Sequence, residues 1–541
     1  MTKKFNVWLP LIIAVCLVAG ILLGQRFSAG RFQAAFVPAS SANKLDVLIN
    51  AIEANYVDTV DRSALIESAV PAILGTLDPH STYIEKRNLQ EVNEEMQGNF
   101  GGIGIQFSIF NDTVNVVDVI TGGPSYELGI QTGDRIVEVN GEVIAGVKIK
   151  QDDVLHLLRG EKGTKVMVGI RRRGLSDIIN YDITRGDIPL ISIDVSYMID
   201  AETGYVKVTR FSEKTYGEFT QAVEKLDAQG ARKLIIDLRG NPGGLLQAVI
   251  RMVNDFLDKD EPALYVEGRT RARYTYLAPQ QGRWFDKELY VLIDEYSASA
   301  SEIFAGAIQD NDRGLIIGRR SFGKGLVQEQ ILFGDGSAMR LTVSRYYTPS
   351  GRCIQKPYQD GQEEYQHDLE KRSKHGEFLV ADSIRFADSL QYKTKFGRTV
   401  YGGGGIMPDC FVPFDTTGFS PYYSKIYAKQ LVYNFAHDYS ENHLDELKTL
   451  ADVAEFKEHL TREHILDQFV AYATKHGVAK NDRDLKISGK MIDTQVKAYI
   501  AKNIIGDVGL FGIIRDIDEA LLKAVKLAKE NAAREISHQN Q

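Results

Sequence analysis

The spacing of apolar residues changes along the chain, and each change marks a segment. Residues 7–24 form an uncharged, mostly apolar run after a stub, residues 1–6, that carries Lys3 and Lys4. Its 18 residues can just cross a bilayer, and positive charge ahead of it predicts an uncleaved signal anchor with everything after about residue 25 exported. A cleaved signal peptide would export the same residues. Residues 25–43 lack a period and read as a tether. In "KLDVLINAIEANYV" and "SALIESAVPAIL" apolar residues recur at three and four, which predicts amphipathic helices and a helical module over 44–95.

Residues 96–186 switch to short alternating runs, "TVNVVDVI", "RIVEVNG" and "KVMVGIRRR", with one helical piece, "QDDVLHLLRG"; a β-rich domain is expected. Over 187–415 buried-type strands alternate with helices, "KLIIDL" before "GLLQAVIRMVNDFL" and "ELYVLID" before "SASEIFAGAIQD", the pattern of an α/β layer fold. Residues 416–541 show helical periods such as "DIDEALLKAVKLAKE" and no readable chemistry.

Composition narrows the choice. The chain's 541 residues, 44% of them apolar, suffice for several cores. With 64 basic against 72 acidic residues, a net charge of −8 and no basic run, a nucleic-acid partner is discounted. Cys16 lies in the apolar run; Cys353 and Cys410 can pair or stay free, and three cysteines make no disulfide framework.

The β-rich segment opens with "GGIGIQF" and continues with "GGPSYELGIQTGDRIVEVNGEVI". Closely spaced glycines let successive backbone N–H groups converge on an anion beside a strand edge that accepts an extended peptide; they can equally make only a tight turn. The segment resembles a bacterial PDZ domain. The resemblance implies a carboxylate-binding loop at Gly102, Ile103, Gly104 and Ile105, although Ser125 and Leu128 stand where smaller residues are usual.

"YSASASEIF" carries Ser297, Ser299 and Ser301 on a strand-to-helix turn. Ser299 and Glu302 fit a capping box. The same position suits a nucleophile, because unpaired N–H groups and the helix dipole stabilise negative charge there. A serine needs a base, and no histidine falls between His156 and His367. There is no GxSxG elbow. Lysine can serve if burial lowers its pKa. "RRSFGKGLVQEQ" offers Lys324, and in an extended strand Lys324, Leu326 and Gln328 face one way, so that Gln328 could hold the amine or orient the serine. "SFGK" also reads as SxxK with Ser321 attacking, but that motif needs a helix and this one carries two glycines. "KLIIDLRGNPGGLLQAV" is a second strand, Gly-rich turn and helix; it could cradle a phosphate but lacks the ending of a P-loop. His459 and His464 are too widely spaced for a zinc motif, and no metal or other cofactor is expected.

Taken together, "LDPHSTYI", "DLRGNPGGLL", "SASASEIFAGAIQDN", "SFGKGLVQ", "TPSGR" and "GGGGIMPD" resemble, in order and over roughly residues 45–415, the carboxyl-terminal processing or tail-specific serine proteases. The resemblance implies a crotonase or ClpP-like α/β core with an inserted PDZ domain. It implies Ser299 as nucleophile, Lys324 as base 25 residues later, assisted by Gln328, and an oxyanion hole of the Ala300 and Gly244 N–H groups. Ser297, Ser301 and Asp310 are then structural. It also implies exported protein or peptide substrates with free apolar C-termini and a PDZ domain that binds those tails and gates activity; Arg159, at the end of the helical piece, could couple the two, with a solvated arginine as the favoured alternative. Catalytic domains on the periplasmic side of an inner membrane and self-association through the terminal helical segments are expected. The rival is a catalytically silent PDZ scaffold, which loss of the serine, lysine or glycines would favour; all are present.

Overall fold

The computed structural model of the chain describes residues 14–19, 44–110, 112–120, 122–384 and 388–531. Among these, no helix is long and apolar enough to cross a membrane. The anchor expected at 7–24 lies outside the described residues except for 14–19, an exposed helical stretch. The described residues up to 72 and those from 73 onward form separate compact units. In the first, Arg62 at the start of helix Arg62–Leu74 donates to Asn50 at 2.5 Å and pairs with Glu53 at 3.0 Å on helix Lys44–Asn55.

The second unit is built on a six-stranded sheet in the order Ile193–Met198, Thr203–Val208, Lys233–Asp237, Glu288–Ile293, Leu315–Gly318, Cys410–Phe411. The first pair is antiparallel and the others are parallel. Near-continuous apolar strands such as Glu288–Ile293, buried at every residue, are what a sheet covered on both faces requires. Helices Thr215–Ala228, Leu246–Asn254 and Ala300–Asp310 cover one face, with Phe219, Phe256, Trp284 and Phe304 among the largest groups in that core. Helix Glu519–Lys529 covers the other, packing Leu521, Ala524 and Leu527 with Tyr205, Tyr290 and Leu292. Periodicity places this helix in a C-terminal region; it gives a helix an apolar face without saying which surface meets it.

A second sheet is formed by the hairpin Leu326–Leu332 and Ala338–Tyr347, turning at residues 333–337, with Pro262–Glu267, Tyr274–Leu277 and the short strand Thr82–Ile84. Thr82–Ile84 falls inside 44–95, where only helices are expected. Three residues are too few to show a period, and the strand exists because it pairs with the far-off Ala338–Arg340. It brings the turn at residues 78–81 to the hairpin.

Strands Ile105–Phe110, Thr113–Val119, Arg135–Val139, Lys165–Arg171 and Ile179–Thr184, with the short Glu142–Val143, make a separate antiparallel sheet around Val114, Val116, Ile136, Val168 and Ile183. Helices Pro124–Glu127 and Gln151–Leu158 accompany it. The chain enters and leaves this segment through one strand pair, Asn99–Gly102 with Gly186–Pro189. Helices Pro421–Ala428, Leu431–Asn442, Val453–Arg462 and Ile465–Lys475 pack with the long helix Asp482–Ile514, which breaks at Ile505–Gly506.

Asp310 is structural, as expected. At the end of the serine helix it pairs with Arg352 at 2.7 Å, both side chains 0% exposed, and accepts the Ser350 hydroxyl at 2.6 Å. Asp310→Ala would leave a buried guanidinium without its counter-charge; the expected outcome is a loss of about 3–5 kcal/mol in chemical denaturation. A midpoint equal to that of the wild type would show that the pair does not constrain the core.

Candidate active site

The turn after strand Glu288–Ile293 is held by its outer serines. Ser297 Oγ donates to the Leu238 carbonyl at 2.9 Å and Ser301 Oγ to the Asn241 carbonyl at 3.0 Å, and both residues are fully buried. They tie this turn to the loop at residues 239–244. Ser299 lies between them at the mouth of helix Ala300–Asp310 with φ 54° and ψ −112°, a conformation that costs a non-glycine residue on the order of 1–3 kcal/mol. Its backbone N–H donates to Glu302 Oε2 at 2.9 Å, the reach-back the sequence predicts.

Glu302 does more than cap. Its fully buried carboxylate also accepts the Lys324 N–H at 2.8 Å, the Gly323 N–H at 2.7 Å and the Ser321 hydroxyl at 2.5 Å. One anion therefore joins the serine turn to the lysine loop. Burial pushes its pKa up to about 6 against the pull of these donors, so it is charged at neutral pH. Ser321, the SxxK serine, is buried in this cluster and also accepts the Ile406 N–H at 2.6 Å. The Tyr346 hydroxyl makes a second join, lying 2.6 Å from the Lys324 carbonyl and 3.1 Å from that of Ser299.

Ser299, Lys324, Gln328 and Gly244 line one cleft of about 1280 Å³. Its apolar walls include Val92, Met96, Phe211, Leu246, Ile303 and Leu326. Lys324 makes no side-chain hydrogen bond or ion pair among the described residues. Burial, then the charge of Arg340, lowers its pKa, while Glu302 and Asp78 raise it in part. Strict alternation does not hold here: Leu326, Val327 and Gln328 all line the cleft, because the ladder slips where Val327 pairs Ser344 and Gln328 pairs Thr342.

The loop at residues 239–244 closes the other side. Gly243 has φ 104°, and a Cβ on it would come within 2.7 Å of Ser299 Cβ. Gly244 has φ 141°, and a Cβ there would meet the Phe211 carbonyl oxygen at 2.0 Å. Only glycine fits either position. The N–H groups of Gly244 and Ala300 have no acceptor among the described residues, so both are available to an oxyanion.

Several neighbours escape sequence reasoning. Asp78 and His80, in "LDPHSTYI", are more than 200 residues before Lys324, yet the His80 pKa is lowered to about 4 by burial and then by the Lys324 charge. His80 Nε2 lies 2.8 Å from the Tyr365 hydroxyl. Only the family motif marks these residues. Arg340 and Tyr346 have no local signal.

In the β-rich segment Gly102 and Ile103 are buried, and the N–H groups of Ile103 and Gly104 have no acceptor among the described residues. Ser125, the departure from the usual pattern, is fully buried beneath this loop and donates its N–H to the Ile103 carbonyl at 2.9 Å. Arg159 is partly exposed; it pairs with Glu91 at 3.0 Å and lies 4.5 Å over the Phe100 ring. Glu91 belongs to helix Lys86–Gln97, whose Val92, Glu95 and Met96 line the catalytic cleft. Cys353 and Cys410 are free thiols.

Residues 202–362 match the model of peptidase family S41, 116–172 that of the PDZ domain, and 422–506 a family of unknown function, DUF8443. The carboxy-terminal processing protease CtpA of Bacillus subtilis is 35% identical over 318 residues, 59% of this chain and 67% of that protein. The carboxy-terminal-processing protease of Bartonella bacilliformis is 36% identical over 309 residues, 56% of this chain and 70% of that protein. Among solved structures, the photosystem II D1 C-terminal processing protease aligns with 26% identity and a TM-score of 0.35, over 68% of this chain and 91% of that one.

The Glu302 cluster generates a signed pH prediction. Its folded pKa, about 6, lies above the ordinary 4.5, so the stability contributed by the protonated form is full below about 4.5 and lost as pH rises through about 6. In Glu302→Gln the amide NH2 faces backbone donors, which costs about 1–3 kcal/mol at neutral pH. Denaturation at several pH values is expected to show this pH-dependent contribution in the wild type and not in the variant.

Proposed function

Because the chain belongs to the carboxy-terminal processing proteases of peptidase family S41 and carries a PDZ domain, it is a serine protease, and we propose that it works through a Ser299–Lys324 dyad on substrates captured by their C-terminal tails. The observation that carries this reading is the shared Glu302 carboxylate, which holds the backbones of both residues at the edge of one cleft. The neutral Lys324 amine takes the Ser299 hydroxyl proton as Oγ attacks a peptide carbonyl carbon. The Gly244 and Ala300 N–H groups hold the resulting oxyanion. The lysine then gives its proton to the leaving amine as the C–N bond breaks, and water, deprotonated by the same amine, releases the acyl group. Gln328 holds the amine in line.

Burial of Lys324 supports the choice of base, since a hydrated lysine would be almost wholly charged near neutral pH. The apolar walls suit apolar residues at the scissile bond. Residues 102–105 take the terminal carboxylate on the open Ile103 and Gly104 N–H groups, and the edge of strand Ile105–Phe110 takes the tail. Occupancy is transmitted through Arg159 and Glu91 to helix Lys86–Gln97 at the cleft. The run at 7–24 anchors the protein in the inner membrane with these domains on the periplasmic side, on the strength of Lys3 and Lys4 before it.

The test is degradation of an unfolded protein bearing an apolar C-terminal tail. Ser299→Ala and Lys324→Ala are each expected to lower kcat by a factor on the order of 10³ or more, and a chelator to have no effect. For the wild type, kcat/KM is expected to rise with pH as the lysine ammonium loses its proton. Equal degradation by wild type and Ser299→Ala would end the reading. Amidating the substrate's C-terminus is expected to raise KM, whereas an unchanged KM would remove the tail-capture part.

A further inference from the structure

We propose that Asp78, acting through Thr342, fixes which end of the Gln328 amide faces Lys324, and so is a positioning residue for the base. The inference rests on the Ser299–Lys324 reading and extends it to residues outside the strand–turn–helix motifs. Asp78 is buried and sits in a shell made only of donors. Its oxygens accept the His80 N–H at 2.9 Å, the Ser81 N–H at 3.0 Å, the Ser81 hydroxyl at 2.6 Å and the Thr342 hydroxyl at 3.1 Å. Such a shell requires the carboxylate, which donates nothing.

The sense of each bond then follows. Thr342 has one hydroxyl proton, and the carboxylate takes it. Toward Gln328, its partner on the adjacent strand, the Thr342 oxygen can only accept. The group 3.2 Å from it is therefore the Gln328 NH2, and the Gln328 carbonyl oxygen is left to the cleft it shares with Lys324. There the amine makes no side-chain hydrogen bond among the described residues, so its N–H groups are open to that oxygen.

The direction matters for the chemistry. A carbonyl oxygen accepts one N–H of the amine and leaves the nitrogen lone pair for the serine proton. A flipped amide would donate into that lone pair and occupy the base. Ser81 holds the arrangement in register: while donating to Asp78, its oxygen accepts the Thr342 backbone N–H at 3.2 Å. The charged and titratable groups around Lys324 are Arg340 from the hairpin, Glu302 from the serine helix, and Asp78 and His80 from the turn.

Thr342→Val removes the relay with little change of shape, Thr342→Ser keeps the hydroxyl, and Asp78→Ala takes away the acceptor, which frees the Thr342 hydroxyl to donate to the Gln328 carbonyl oxygen and so to turn the amide round. With kcat and KM measured across pH on one tailed substrate, and thermal unfolding alongside, Thr342→Val and Asp78→Ala are expected to lose about tenfold in kcat at unchanged KM. Thr342→Ser restores kcat. In Asp78→Ala the acid limb also moves to lower pH, because the carboxylate that favours the lysine charge is gone. Wild-type kcat in Thr342→Val or Asp78→Ala, or equal losses in the Ser and Val variants, overturns the relay. If Lys324→Ala is inactive in the same assay the dyad stands regardless, and if it is active the dyad itself fails.

Discussion

The catalytic arrangement depends on one buried negative charge. Glu302 stands at the first turn of the serine helix, where the dipole favours an anion. Its two oxygens gather a hydroxyl and three N–H groups from segments about twenty residues apart. With the carboxylate charged, all four bonds form with correct polarity. A neutral acid would bring a proton to a place where only donors point. Because the backbones of Ser299 and Lys324 are both members of the set, the spacing of those two backbones is a property of the core.

Around that anion the structure sorts its polar contacts by task. Ser297 and Ser301 bond the glycine loop to the serine turn, which keeps the two N–H groups without acceptors among the described residues, at Gly244 and Ala300, on segments tied to one another. The absence of side chains at Gly243 and Gly244 lets the backbone come that close. Helix Lys86–Gln97 has a different task. One side meets the cleft through Val92, Glu95 and Met96, while Glu91 meets Arg159 and Glu94 reaches the Gly101 N–H at 3.4 Å. The PDZ domain also touches the helical bundle, where Arg173 donates to the Glu441 carbonyl at 3.1 Å. It is thus held by two elements outside itself.

Much of this is legible in the sequence because it is local. A strand, a turn with a capping serine and an apolar helix occupy neighbouring positions, so Ser299, the capping role of Glu302 and the glycine loop can be read from short stretches. The proposed pairing of Ser299 with Lys324 and the proposed tail-binding role of residues 102–105 come from family likeness instead. Contacts between distant segments stay hidden. Nothing near Asp78 indicates that Thr342 will lie beside it, and the three-residue strand that brings them together has no period. The slip beside Gln328 defeats simple alternation because it depends on the partner strand. A base sought among the histidines within and beside the α/β segment misses His80, which arrives from outside it.

Helix Glu519–Lys529 carries a consequence for the timing of synthesis. Strands from Thr203 to Gly318 leave the ribosome some two hundred residues before the surface that shields their second face. Asp518, at the start of that helix, clasps Arg239 at 2.8 and 2.7 Å, and Arg239 directly precedes the glycine loop. A nascent chain that already holds its serine and lysine therefore still has an uncovered sheet and an Arg239 lacking its second carboxylate. The support behind the glycine loop is completed only when helix Glu519–Lys529 docks.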